Sequence, residues 1–274
     1  MRDTIAFIGG GNMATSLVGG LIADGLPASQ IWVAEPDEER RRSLVRAFAV
    51  QTTADNREAA RRGDVLVLAV KPQILRQVAE DLSESVQAKH PLVISVAAGV
   101  RESDLRPWLG GDVALVRAMP NTPALVRSGA TALFANDRVS GAQRELAETI
   151  LRAVGVVLWL SDESLMDAVT AVSGSGPAYF FLVIEALEKA AITLGLSTQA
   201  ARLLTVQTAL GAAKMALESE EDVDKLLKRV ASPGGTTEAA LRVLDERGLG
   251  DAFLHAVEAA HRRSIQLAER FGAK

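Results

Sequence analysis

The sequence predicts an α/β domain with a mostly parallel sheet, followed by an all-helical domain. Three observations predict it. Short apolar runs alternate with helical patterns through the first 160 residues, the signature of a parallel sheet covered on both faces. Beyond Leu160 no convincing strand pattern follows, and helical periodicity takes over. The first apolar run, residues 4–8, stops at Gly9-Gly10-Gly11-Asn12-Met13-Ala14. It then passes at once into the helical spacing of Leu17, Val18, Leu21 and Ile22.

That glycine segment matches G-x-G-x-x-G/A. Its place after a strand and at the head of a helix makes it a dinucleotide-binding turn. Gly9 permits the tight turn, Gly11 lets the backbone approach a pyrophosphate, and Ala14 lets the helix pack close to the strand. The new helix faces the anion with its N–H groups. Further strands are expected at 31–34, 64–70, 92–96 and 113–116, with two more at 130–134 and 156–160 near the end of the sheet. Helices are expected over about 37–48, 55–62, 72–86, 101–109 and 139–153. The second half reads as helices at 162–172, 179–194, 198–217, 222–230, 236–247 and 251–270. The expected domains are therefore 1–160 and 161–274. Helix 179–194 is apolar nearly all round, and its neighbour is poor in polar residues. So few helices cannot bury both, which predicts a second subunit.

Composition narrows the function. The chain has 274 residues, enough for two cores, and a net charge of −4. With no cysteine there is no disulfide, thiolate nucleophile or thiolate-ligated metal, and no metal site is expected. Arg40-Arg41-Arg42 lies beside Glu38 and Glu39 and reads as a solvated helix face, so no nucleic-acid partner is expected. The first strand begins at once, leaving no room for a signal peptide, and no uninterrupted apolar stretch reaches membrane-spanning length. A cytoplasmic protein without a membrane partner is the expectation.

Several segments stand where ligands bind, at the carboxyl ends of the strands. Glu35 ends the second strand, and a carboxylate there binds a ribose 2′-hydroxyl; the alternative for Glu35 and Asp37 is helix capping. The arginines that follow favour a 2′-phosphate, so the choice between NADH and NADPH stays open. Ala69, Val70, Lys71 and Pro72 end another strand, with Lys71 either catalytic or merely solvent-facing. The small residues of 95–99 would admit a ring, and Asn121 sits between two prolines at the same edge. Asn56 is either a helix cap or a cofactor contact. Residues 173–177 join the halves as a capped linker or a site. Ser232-Pro233-Gly234-Gly235-Thr236-Thr237 leads into a helix and suits a small carboxylate; capping by Thr236 is compatible with that role. His90, His255 and His261 all read as surface residues. The helix after 173–177 has no lysine before Lys189, so a hydroxyl-deprotonating base is missing. Imine reduction needs less, mainly positioning and a hydrogen bond that a threonine hydroxyl supplies.

Together these segments resemble pyrroline-5-carboxylate reductases. The matching pieces are 7–14, 69–73, 95–100, 119–123, 171–179, 210–215 and 232–237, in order over nearly the whole chain. The resemblance implies a Rossmann-like N-terminal domain and an all-α C-terminal dimerisation domain. It implies homodimers that assemble further, commonly into decamers, and reduction of L-1-pyrroline-5-carboxylate to L-proline by NADPH or NADH. It places Gly9, Gly11, Asn12, Met13 and Ala14 on the pyrophosphate. Asn56, Ala69, Val70, Lys71, Pro72, Ala97 and Gly99 line the rest of the dinucleotide site, to which Glu35 and Asn121 are also assigned. Ser173, Ser232, Gly234, Gly235, Thr236 and Thr237 are assigned to the substrate, with Thr237 on the ring nitrogen as the catalytic contact. Thr236 stands where some relatives have alanine, and Glu35 where many have a short polar residue. The competing readings are a β-hydroxyacid dehydrogenase and a non-catalytic NAD(P)-binding sensor.

Overall fold

The computed structural model describes residues 3–272. Strand and helix alternate as β1 (Ile5–Ile8), α1 (Asn12–Ala23), β2 (Ile31–Ala34), α2 (Glu38–Phe48), β3 (Gln51–Thr53) and α3 (Asn56–Arg62). They continue as β4 (Val65–Leu68), α4 (Pro72–Lys89), β5 (Leu92–Ser95), α5 (Glu102–Trp108) and β6 (Ala114–Met119). β7 (Gly129–Ala135), α6 (Gly141–Arg152) and β8 (Gly155–Trp159) complete the sheet. Its strand order is β3-β2-β1-β4-β5-β6-β7-β8. β1 to β6 are mutually parallel, β7 runs antiparallel to β6, and β8 runs parallel to β7. This is the doubly wound order in which β1 and β4 lie side by side while their crossovers leave in opposite directions, opening a crevice at their carboxyl ends.

The apolar runs of β1 and β4, and β5 with its last residue Ser95, are buried throughout, as strands covered on both faces must be. One core, with Phe7, Leu17 and Val67, lies on one face. The other, with Ile8, Leu68 and Leu75, lies opposite. Each such fully buried side chain contributes roughly 1.5–3 kcal/mol. Helix starts follow from local chemistry. Asp37 accepts from the N–H groups of Glu39 and Arg40 at 2.9 and 3.1 Å, and Asp55 accepts from that of Arg57. Ser140 and Gln143 form a reciprocal capping box on α6.

After β8 come a 3-10 turn (Glu163–Leu165), α7 (Met166–Val169) and a π turn (Thr170–Gly174). The helices α8 (Gly176–Thr193), α9 (Thr198–Glu218), α10 (Val223–Val230), α11 (Thr236–Glu246) and α12 (Leu249–Gly272) follow. The chain forms two compact units, one up to Ser175 together with Ala260 onward, the other Gly176–Ala259. Packing thus divides the chain later than the expected 160/161 boundary and returns the end of α12 to the sheet unit. There the Ser264 hydroxyl donates to the Asp167 carboxylate at 2.6 Å.

The structure corrects several expectations. β3 is polar and short, so periodicity missed it. β4 ends at Leu68, leaving Ala69 and Val70 beyond the strand. The 162–172 helix is three short pieces, and α8 starts at Gly176, ahead of residue 179. The expectation that no apolar stretch reaches membrane-spanning length also falls. Residues 173–177, expected as a linker or a site, interrupt the helical pieces of Glu163–Thr193 only by a bend at Ser175. That segment contains an 18-residue window of mean hydropathy 1.2, of which 11% is buried. Within the helical unit Phe180, Phe181, Leu182, Leu203 and Leu217 are all well exposed.

Candidate functional site

The glycine loop follows directly from β1. Gly9 has φ +99°, and a Cβ there would meet the Ala69 carbonyl oxygen at 2.7 Å. Both facts demand glycine, and Gly9 N–H continues the β1–β2 ladder by donating to Ala34 O at 2.8 Å. Gly11 is different. It is the N-cap of α1 with an extended backbone, φ −71° and ψ −176°, that any residue adopts. A Cβ on it would meet nothing within 4 Å. The protein itself does not need glycine at position 11, so the open space on its face fits a ligand approaching the backbone. A cap without a side chain also leaves the positive end of α1 to an anion. The loop fits a dinucleotide pyrophosphate.

Ala69, Val70, Lys71 and Pro72 follow β4, and Ala97 and Gly99 follow β5, so the carboxyl ends of three adjacent strands bring these groups together. Pro72 is the first residue of α4, as its fixed φ favours. Lys71 is exposed, and Ala97 is buried. Gly99 has φ +73°, and the ring of Phe271 lies 3.4 Å from where its Cβ would be. The ring beside this loop is thus the protein's own, a contact that no sequence spacing signalled.

Glu35 is 6% exposed and turned onto the glycine loop. Its carboxylate accepts from Gly10 N–H at 2.9 Å and from Asp37 N–H at 3.1 Å. Arg41 donates to the carbonyl oxygens of Glu35 and Pro36 at 2.7 and 2.8 Å, so it is not the solvated residue expected. Arg42 pairs with Glu38 at 2.6 Å. Arg40 lines a groove of about 260 Å³ with Gly10, Gly11, Asn12, Thr15 and Ser43. The Arg40 backbone N–H, ahead of that of Glu39, holds the Asp37 carboxyl below the usual carboxylate range. Asn56 is the first residue of α3 and Asp55 is its cap, so Asn56 does not cap.

Asn121 follows β6. Its Oδ1 accepts from Ala130 N–H at 2.9 Å, and its Nδ2 donates to the carbonyl oxygen and Oγ of Ser173, both at 3.2 Å. His90 and His255 are exposed and His261 is half-buried.

In the helical unit, Gly235 is the N-cap of α11, so Thr236 does not cap and is exposed, while Thr237 is half-buried in the first turn. Ser232 and Gly234 are exposed. Gly235 N–H donates to Ser232 O at 3.0 Å, and Gly234 N–H donates to Glu238 Oε2 at 2.7 Å. The last contact places a carboxylate on the very loop expected to hold one. An acid four residues after a loop glycine, in a helix's first turn, is a signal the sequence did carry.

Comparison with known proteins agrees with this arrangement. Residues 163–267 match the family model for pyrroline-5-carboxylate reductase dimerisation. Residues 4–99 match that for NADP oxidoreductase, coenzyme F420-dependent. The chain is 50% identical over 268 residues to a pyrroline-5-carboxylate reductase of Pseudomonas aeruginosa, covering 98% of each. It is 48% identical to the solved pyrroline-5-carboxylate reductase of Coxiella burnetii, with a TM-score of 0.94 over 98% of this chain and 99% of that one. The Plasmodium falciparum pyrroline carboxylate reductase, solved with NADP bound, is 29% identical with a TM-score of 0.87, over 97% and 98%. With a glycine loop open at Gly11, a helical half that matches the dimerisation model and this likeness along its length, the chain belongs to the pyrroline-5-carboxylate reductase family.

Proposed function

We propose that the chain reduces L-1-pyrroline-5-carboxylate to L-proline with hydride from NAD(P)H, the last step of proline biosynthesis. The observation that carries the reading is the open face of Gly11 at the head of α1, in a chain of this family. Bound NAD(P)H supplies the hydride. Gly9, Gly11, Asn12, Met13 and Ala14 hold its pyrophosphate by backbone approach and by the helix end. Asn56, Ala69, Val70, Lys71, Pro72, Ala97 and Gly99 line the remainder. The substrate arrives with its ring nitrogen protonated, so hydride at the C=N carbon yields the amine without a further proton. The N–H groups of Thr236 and Thr237 at the head of α11 hold its carboxylate, since those of Gly234 and Gly235 are engaged by Glu238 and Ser232, and the Thr237 hydroxyl orients the ring nitrogen. The subunits pair through α8 and α9 and assemble into a decamer in the cytoplasm. The apolar surface of the 163–193 segment faces another subunit rather than lipid.

The test is NAD(P)H oxidation with pyrroline-5-carboxylate beside NAD(P)+ reduction with a β-hydroxy acid; turnover of the hydroxy acid alone would replace this reading with a dehydrogenase. Thr237→Ala removes a hydrogen bond to a charged centre, worth roughly 1.5–3 kcal/mol. It should lower kcat/KM about ten- to hundredfold, while the NAD(P)H Kd holds and Thr237→Ser keeps most activity. Full activity in the alanine variant would remove Thr237 from the chemistry.

A further inference from the structure

We propose that Asn121 is a positioning residue that acts through Ser173, aiming the Ser173 hydroxyl at the substrate, and is not a cofactor ligand; this rests on the functional reading above. The amide orientation follows from its neighbours. Ala130 N–H is a donor, so the oxygen Oδ1 faces it, at 2.9 Å. Nδ2 is thereby turned to two acceptors on one residue, the carbonyl oxygen and Oγ of Ser173, both at 3.2 Å. An NH2 group has two hydrogens, and both acceptors belong to the protein. Asn121 keeps no donor for a cofactor amide or ribose.

The same geometry defines Ser173. Its Oγ accepts from Asn121, so its own proton points elsewhere and is the group offered to a ligand acceptor such as a carboxylate oxygen. Ser173 is half-buried and lies in the π turn Thr170–Gly174, which Ser175 closes by donating its N–H to Thr170 O at 2.9 Å. π turns are rare and occur often at functional sites. Asn121 therefore ties the loop after β6 to the turn that carries Ser173, and sets which way that hydroxyl donates.

Asn121→Asp is the informative variant. It keeps the acceptor for Ala130 N–H but loses both donors to Ser173. With Asn121→Ala and Ser173→Ala, it is measured for imine KM, for kcat and for NAD(P)H Kd by nicotinamide fluorescence. Ser173→Ala should raise the KM for pyrroline-5-carboxylate about ten- to hundredfold, the effect of one hydrogen bond to a charged group, and the Asn121 variants up to that much, with the NAD(P)H Kd unchanged. Residues that act as one unit are non-additive, so Asn121→Asp in the Ser173→Ala background should add little. A rise in NAD(P)H Kd that matches the rise in imine KM overturns the proposal, as do effects that multiply independently. A wild-type protein inert toward pyrroline-5-carboxylate overturns the functional reading instead, before any variant is made.

Discussion

Gly9 and Gly11 carry the same side chain for different reasons. Gly9 is required by the fold, through its positive φ and the Ala69 carbonyl beside it. Gly11 is required by nothing in the chain. Gly11→Val should therefore still fold, with stability lowered only by the poorer N-cap, on the order of 1 kcal/mol, and raise the NAD(P)H Kd at least tenfold, about 1.4 kcal/mol. Gly9→Ala should lose more stability. Unchanged cofactor affinity in a folded Gly11→Val would remove the loop from the pyrophosphate. Glu35 poses the question of cofactor choice. Its carboxylate braces the loop through Gly10 and Asp37, and its charge lies beside the groove that Arg40 lines. Glu35→Gln removes the charge and keeps one of the two bracing bonds, since its NH2 cannot accept from the N–H of Gly10 or Asp37. The NADPH/NADH ratio of kcat/KM should rise about tenfold, on the order of 1–2 kcal/mol of repulsion removed. A ratio that does not move places the 2′ position away from Glu35.

Among the elements, those with strong periodicity or a chemical start signal were readable. β1 and β4 are uninterrupted apolar runs and β5 is one up to Ser95, and Asp37, Asp55 and Ser140 cap their helices. β3 was not readable, because Gln51-Thr52-Thr53 has no apolar pattern and becomes a strand by pairing with β2. The antiparallel direction of β7 was equally hidden, since an apolar run carries no direction. α6 offers a test at this scale. Ser140→Ala removes half of the capping box and should cost about 1 kcal/mol of stability. Calorimetry should show Tm falling by about 2–4 °C, with kcat/KM unchanged. No change in Tm would mean that the box is redundant with the packing of α6 on β8.

For the whole molecule, the decisive feature is the apolar surface that one chain leaves bare on α8 and α9. Leu203 is 67% exposed and Phe181 66%, and each such side chain contributes roughly 1.5–3 kcal/mol when covered. Membership in a family with a dimerisation domain, matched here over residues 163–267, indicates oligomerisation, and a second subunit is the occupant proposed for this surface. Leu203→Asp should shift light scattering toward the monomer and lower activity with it, because a charge without a partner is costly to bury in an apolar interface. A wild-type protein that is active and monodisperse as a monomer at micromolar concentration would contradict this assembly.

The glycine loop, the alternating half, the helical half and the helix start after residue 235 were all legible in the sequence. Each rests on contiguous residues whose chemistry is local: a turn that needs glycine, a run that needs burial, a helix end that favours an anion. What tertiary structure decided are the roles of side chains whose partners lie far along the chain. Glu35 meets Gly10 across 25 residues, and Asn121 meets Ser173 across 52. Phe271 covers Gly99 from the far end of α12, which packing returns to the sheet unit although the sequence runs it on from the helical half. A spacing pattern records what a residue's neighbours in sequence require of it. Which donor meets which acceptor is decided only when the chain closes on itself, because buried polar groups take whatever partner the packing brings within reach.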